Sequence, residues 1–197
     1  MLFSNAAIAT FMDNHFEPVW VSMRPVPQIT IDFGNGHRIK RTLHGNVATW
    51  VCAADGTAID VLPGTYAPEV WVQEIEKLKT VHEDFAAIEK SRRRQFLHDY
   101  HQTCLKLDIP SAPSFTESAE SIFGLHQDTQ LNQTTRRRTI HQFLGNQSPA
   151  TPDLFANWLY REVLGANLED PYLGLGKVLF KNYPFEDEQS GNDLISH

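Results

Sequence analysis

Cysteine is almost absent from this chain: there are two, Cys52 and Cys104, and they form no Cys-x-x-Cys pair. Disulfide exchange needs an activated thiolate and usually a resolving thiol, and neither residue has the setting for it. A disulfide framework is unnecessary at 197 residues, which favours a reducing, cytoplasmic compartment. No run approaches the length of a membrane-spanning helix, and residues 1–20 lack the basic start and continuous apolar segment of a signal peptide. Positive charge is in deficit: 17 Lys and Arg against 24 Asp and Glu leave a formal charge of −7. That argues against nucleic acid or an anionic membrane as the main partner, since both require a positive surface field. Internal repeats and low-complexity segments are missing too. No motif specifies a reaction, so catalysis and any cofactor stay open.

What the chain does have is enough apolar material for a core, 41% of its residues, and one stretch that organises it. His44-Gly45-Asn46-Val47-Ala48-Thr49-Trp50-Val51-Cys52 leads to Asp55-Gly56 and then to Thr57-Ala58-Ile59-Asp60-Val61-Leu62-Pro63-Gly64. Two apolar, β-branched runs about an Asp-Gly pair predict a hairpin, because glycine accepts the positive φ of a tight turn. A helix opens at Ala67-Pro68-Glu69, with proline in a first turn whose N–H groups have no internal partners. A buried hairpin leading through glycine into an amphipathic helix resembles the C-terminal half of a thioredoxin-like domain. In that family the half reads Gly-x-Pro-Thr, an apolar strand, Asp-Gly, a second strand, Gly, and a helix across the sheet. Gly45 and Thr49 to Gly64 follow this plan, while Ala48 stands where the family has its cis-proline. A cis bond before a non-proline residue costs about 3 kcal/mol, so a trans bond is expected there and part of the family's active surface is missing.

Before this stretch, residues 3–16 place Ile8, Phe11 and Met12 at helical spacing, with Ser4 or Asn5 available as a cap. Pro18-Val19-Trp20-Val21 then reads as a buried strand, and this helix and strand resemble the segment that follows the redox motif in the family. The resemblance implies a strand and motif that either precede Met1 or were never there. Ile29, Ile31 and Phe33 alternate with polar residues and turn through Gly34-Asn35-Gly36 into residues 37–43, a second hairpin that would help complete the sheet.

After Pro68 a helical pattern continues through Trp71, Ile75, Leu78, Val81, Phe85, Ile88, Phe96 and Tyr100 to Cys104. Its apolar stripe needs more cover than a small sheet provides. Residues 109–114 read as a linker, and helical patterns follow around Ile122, Ile140 and, from the start signal Thr151-Pro152-Asp153, Phe155 to Val163. Asp170-Pro171 repeats the start signal, and the acidic tail from Glu186 has little to bury. The expected class is therefore α+β: a partial or variant thioredoxin-like sheet with covering helices over residues 1–80, then an all-helical extension over 81–197.

Two groups carry candidate chemistry. His98, His101 and Cys104 recur every three residues on one helix and offer the nitrogen and sulfur ligands of a zinc or copper site. The structural alternative places Tyr100 and Cys104 in the apolar stripe, since free cysteine is commonly a small buried hydrophobe. His44 and Asn46 lie in the loop that faces substrate in thioredoxin-like proteins and, with Arg137 and His141, are candidate ligand-binding residues. Arg136, Arg137 and Arg138 cannot all face one way on a helix, which suits one or two of them to ion pairs with Asp128, Glu162 or Asp170. The leading reading is a redox-inactive thioredoxin-like protein that binds a protein partner or small ligand. Alternatives are a metalloprotein or metalloenzyme and a truncated oxidoreductase. A core joining Trp20, Val21, Val47, Trp50, Val51, Ile59, Val61, Ile75 and Leu78 is expected, and a homodimer if a sheet edge is left uncovered.

Overall fold

β4 (Ala58–Pro63) is buried along its whole length and pairs antiparallel with β3 (Ala48–Cys52), Trp50 opposite Val61. In the computed structural model, residues 6–25, 28–42, 47–107, 127–171 and 173 are described. The fold is mixed α+β, with two two-stranded antiparallel sheets among those residues. The β3–β4 turn is the expected one: Gly56 has φ +83°, and the Asp55 carboxylate accepts the Thr57 N–H at 3.1 Å. Val51 pairs with Asp60 and Cys52 with Ala58, which leaves Ile59 as an extra residue in a bulge. No peptide bond among the described residues is cis, the bond before Ala48 included.

Helices cover this hairpin. α1 (Ala6–His15) and α2 (Pro68–Ala87) supply Ile8, Trp71, Ile75 and Leu78, which pack with Val51, Leu62 and Tyr66. A 3₁₀ turn over Lys90–Arg92 follows, and then α3 (Arg93–Lys106). Helical residues 127–131 run through a wide π-type turn, Asn132–Arg136, into α4 (Arg137–Leu144). α5 (Pro152–Trp158) closes with a second such turn, Leu159–Val163. Ala58, Val61, Ile140, Phe155 and Leu159 form another core, into which the Phe143 and Trp158 rings stack at 3.6 Å.

Several expectations are corrected. The helix from Pro68 does not continue to Cys104: Ile88 is extended (φ −88°, ψ 139°), and the break lets α3 fold back so that Leu97 joins Phe85 and Ile59. Arg93 latches the corner, its guanidinium 4.7 Å from the Phe85 ring centre and 2.8 Å from Asp55. Residues 18–21 form no strand, and Val19, Trp20 and Val21 are 80%, 78% and 69% exposed. An apolar run becomes a strand only by pairing, and this one has no ladder partner among the described residues. Arg24 instead holds the end of the segment against the carbonyls of Leu168 and Asp170 at 2.9 and 2.7 Å. The expected single core is divided too: Ile59, Val61 and Leu62 each join a different cluster, because β4 is buried on both faces. β1 (Gln28–Asp32) and β2 (Arg38–Thr42) pair with each other and, among the described residues, extend no larger sheet. Thr151 stands at the start of α5 but makes no side-chain cap bond. The linker at 109–114, the helix near Ile122 and the tail from Glu186 lie outside the described residues.

Candidate functional site

A carboxylate in the middle of an apolar, fully buried strand must find a cation or several donors, since an isolated buried charge is very costly. Asp60 finds both. Arg137 approaches from α4 and binds it bidentately, Nη1 to Oδ1 at 2.6 Å and Nη2 to Oδ2 at 2.7 Å. Tyr100 of α3 donates its hydroxyl to Oδ2 at 2.6 Å, and the Val61 N–H donates to Oδ1 at 2.7 Å. Arg137 Nη1 also donates to the Val61 carbonyl at 2.7 Å, and the Ala58 N–H reaches the Ala150 carbonyl at 2.8 Å. Side chains and a loop thus occupy the edge of β4 where a further strand would pair.

The π-type turn is what aims this side of α4. Asn132 is buried and donates to the Thr65 carbonyl at 2.6 Å, while Arg136 donates to the Asn132 amide oxygen at 2.7 Å. Both pack on Gly64, whose φ is +73° and where a Cβ would lie 2.9 Å from the Asn132 amide. One turn earlier, the Thr129 hydroxyl accepts the Ala67 N–H at 2.8 Å and completes the start of α2. The three arginines diverge as helical geometry requires. Arg136 goes to Asn132 and Arg137 to Asp60, and Arg138 is exposed.

His101 and His141 complete the buried cluster, with Nδ1 atoms 2.9 Å apart and both rings nearly inaccessible. Burial disfavours the charged form of both imidazoles, lowering His101 and pushing His141 down to about 3. Burial acts most strongly, to raise the Asp60 carboxyl, but the Arg137 charge and hydrogen bond together with the two neighbouring imidazoles outweigh it and hold the group well below the usual carboxylate range. The Ile59 backbone beside His101 favours a proton on that ring. We assign it to Nε2, since Nδ1 faces His141. His141 then donates from Nδ1, and its Nε2 is left as an unprotonated acceptor.

Asp60, His101 and His141 bring ligand-type atoms within 4.8 Å of one another. Their arrangement is closed rather than coordinating. A carboxylate offers about four lone-pair sites, and those of Asp60 are engaged by Arg137 twice, Tyr100 and Val61. Two imidazoles on a tetrahedral zinc stand about 3.3 Å apart, whereas 2.9 Å is a hydrogen-bond distance. The expected set of His98, His101 and Cys104 is not brought together. His98 Nδ1 donates to the Gly145 carbonyl at 2.6 Å, His101 turns inward, and Cys104 lies beside Tyr100. His44 and Asn46 fall outside the described residues. Arg137 and His141 do meet, one helical turn apart.

Those two residues and Tyr100 border a cleft of about 320 Å³ between α2, α3 and α4. Leu78, Val81, Leu105 and Leu107 supply its apolar lining, and Glu74, Lys77, Arg138 and His141 are among its polar lining. Cys104 is half-buried at its edge, its thiol pushed up by burial and by Asp60; Cys52 is raised by burial alone. Sequence reasoning missed Asp60, Tyr100 and the cleft. The available signal was the lone acid in Ala58-Ile59-Asp60-Val61-Leu62, which demanded a buried cation from elsewhere in the chain.

No family model, curated protein or solved structure matches this chain.

Proposed function

We propose that the chain is a redox-inactive, thioredoxin-like binding module and that a small ligand seats in the cleft between α2, α3 and α4. The observation that carries the binding reading is the cleft's prearranged border. Arg137, Tyr100 and His141 reach it while each is held from behind by a buried partner, so binding need not order them. The size falls within the range of small-molecule sites, and the mixture of an apolar side with a few placed polar groups is their usual character. The hairpin running through Gly64 into α2, with Val51 and Leu62 under the helix, supports the thioredoxin-like part. The raised thiols of Cys52 and Cys104 support redox inactivity, because the thiolate is the nucleophile.

Ligand-observed NMR on the full chain tests the binding reading with small organic acids, alcohols and amines. Binding by at least one class, lost in Val81→Trp, is expected, since the indole fills the cleft from its apolar side. No binding at millimolar concentration, or binding indifferent to this substitution, contradicts the reading. Insulin reduction should be absent, and turnover lost in Cys52→Ser would contradict redox inactivity. Elemental analysis of untagged protein should find no stoichiometric zinc or copper; one equivalent lost in His101→Ala would return the site to a metal centre.

A further inference from the structure

Resting on the cleft as the ligand site, the chemistry of its occupant follows from which polar groups retain bonding capacity. Arg137 and the Tyr100 hydroxyl are committed to Asp60. Glu74 accepts from Lys77 at 2.9 Å and from Gln133 at 3.3 Å, both on Oε1, so that Oε2 stays an acceptor beside Lys77; the Thr134 hydroxyl donates to the Gln130 carbonyl at 2.8 Å. Arg138 has an exposed guanidinium with no ion pair or hydrogen bond among the described residues. Lys77, 66% exposed, gives one of its three donors to Glu74 and keeps the others. His141 Nε2, opposite the nitrogen bonded to His101, offers a lone pair. Besides the second Glu74 oxygen beside Lys77, the free polar groups are thus two cations and one acceptor, in a lining that also includes Leu78, Val81 and Leu105.

We infer that the cleft binds a small organic acid with an apolar body, whose anionic head meets Arg138 and Lys77 and whose hydroxyl or N–H donates to His141 Nε2. A carboxylate matches the planar fork of Arg138, and its charge complements both cations. The hydrocarbon body lies against Leu78, Val81 and Leu105, where its burial contributes without direction. A donor on the ligand is required because an acceptor placed against a lone pair would leave both unsatisfied. A plain fatty or aryl acid therefore binds, but less well than one carrying a hydroxyl.

Two probes test this on the full chain: 3-phenylpropanoate and its para-hydroxy counterpart, measured by ligand-observed NMR and calorimetry. Expected are tighter binding of the phenol by about fivefold, the value of one neutral hydrogen bond, and weakening of both acids by about tenfold in Arg138→Gln. Arg138 is exposed, so the variant is expected to fold, which a circular dichroism spectrum checks. In His141→Phe, the phenol's advantage should vanish while the plain acid still binds. If His141→Phe does not fold, the methyl ether of the phenol serves instead, since it keeps the ring and removes the donor. Equal binding of phenol, ether and plain acid, or acid binding indifferent to Arg138→Gln, overturns the inferred chemistry while leaving the cleft as a binding site. Failure of acids, alcohols and amines alike overturns the inference together with the reading on which it rests.

Discussion

Replacing Arg137 with methionine removes the charge that makes Asp60 tolerable inside the protein. Asp60 is wholly buried, and Arg137 supplies two of its four hydrogen bonds as well as one to the Val61 carbonyl. The Tyr100 hydroxyl and the Val61 N–H would remain, neither of them a counter-charge. Breaking a buried pair from one side costs about 3–5 kcal/mol, a large fraction of the roughly 5–15 kcal/mol that holds a domain together. Replacing both partners is a different perturbation, because no stranded charge is left. Arg137→Met with Asp60→Leu should recover most of the loss, leaving a deficit of about 1–2 kcal/mol from the uncovered Val61 backbone groups. Urea denaturation followed by circular dichroism at pH 7 measures all three proteins. A cost below about 1 kcal/mol for Arg137→Met, or a double variant less stable than the single one, would refute the reasoning.

Other outcomes follow from the same geometry. His101 and His141 have folded pKa values below their unfolded value of about 6.5, so the folded state binds fewer protons. Their contribution is intact above about pH 6.5 and declines as pH falls below it; at pH 5, His141 alone removes about 2 kcal/mol. Asp60 acts only lower down: its depressed folded value gives stability that is present above the unfolded carboxylate value of about 3.9 and is lost as pH falls further. The urea midpoint should therefore drop between pH 8 and pH 5, and an unchanged midpoint would count against neutral, buried imidazoles. Gly64→Ala forces a Cβ against Asn132 at φ +73° and should cost more than about 2 kcal/mol; Gly36→Ala, at φ +88° with open space, should cost only about 1–2 kcal/mol. Thermal melts compare the two. Tyr66 has a buried hydroxyl with no partner among the described residues, so Tyr66→Phe should leave stability equal or raise it by up to about 1 kcal/mol. A loss on the same melt would show that the hydroxyl is bonded.

The hairpin and the start of α2 were legible because their signals are local. Asp55-Gly56 makes a turn, Pro68 opens a helix, and apolar residues between them alternate or recur with a period. The break at Ile88 carried no such signal, since no glycine or proline marks it and it serves the distant contact of Leu97 with Phe85 and Ile59. Val19-Trp20-Val21 failed in the opposite sense, because its composition favours a strand but burial depends on a partner. In the site, His101, Arg137 and His141 were named from the sequence, though in two unrelated groups. Joining them required Asp60, and the sequence separation of 77 residues between Asp60 and Arg137 is invisible to any periodicity. The π-type turn that aims Arg137 was equally hidden, because it depends on Asn132 closing against Thr65 and Gly64.

The protonation of the two imidazoles links the buried ion pair to the cleft, and long-range proton–nitrogen NMR of the histidine rings in the full chain reads it directly. The account predicts that at pH 7 His101 carries its proton on Nε2 and His141 on Nδ1, that the His141 ring does not titrate between pH 8 and pH 5, and that His101 titrates below the ordinary imidazole value. Addition of the para-hydroxyphenylpropanoate probe should shift His141 Nε2 and leave the His98 ring unchanged. A charged His141 ring at pH 6, the opposite tautomers, or a probe that binds without moving the His141 Nε2 resonance would contradict the account.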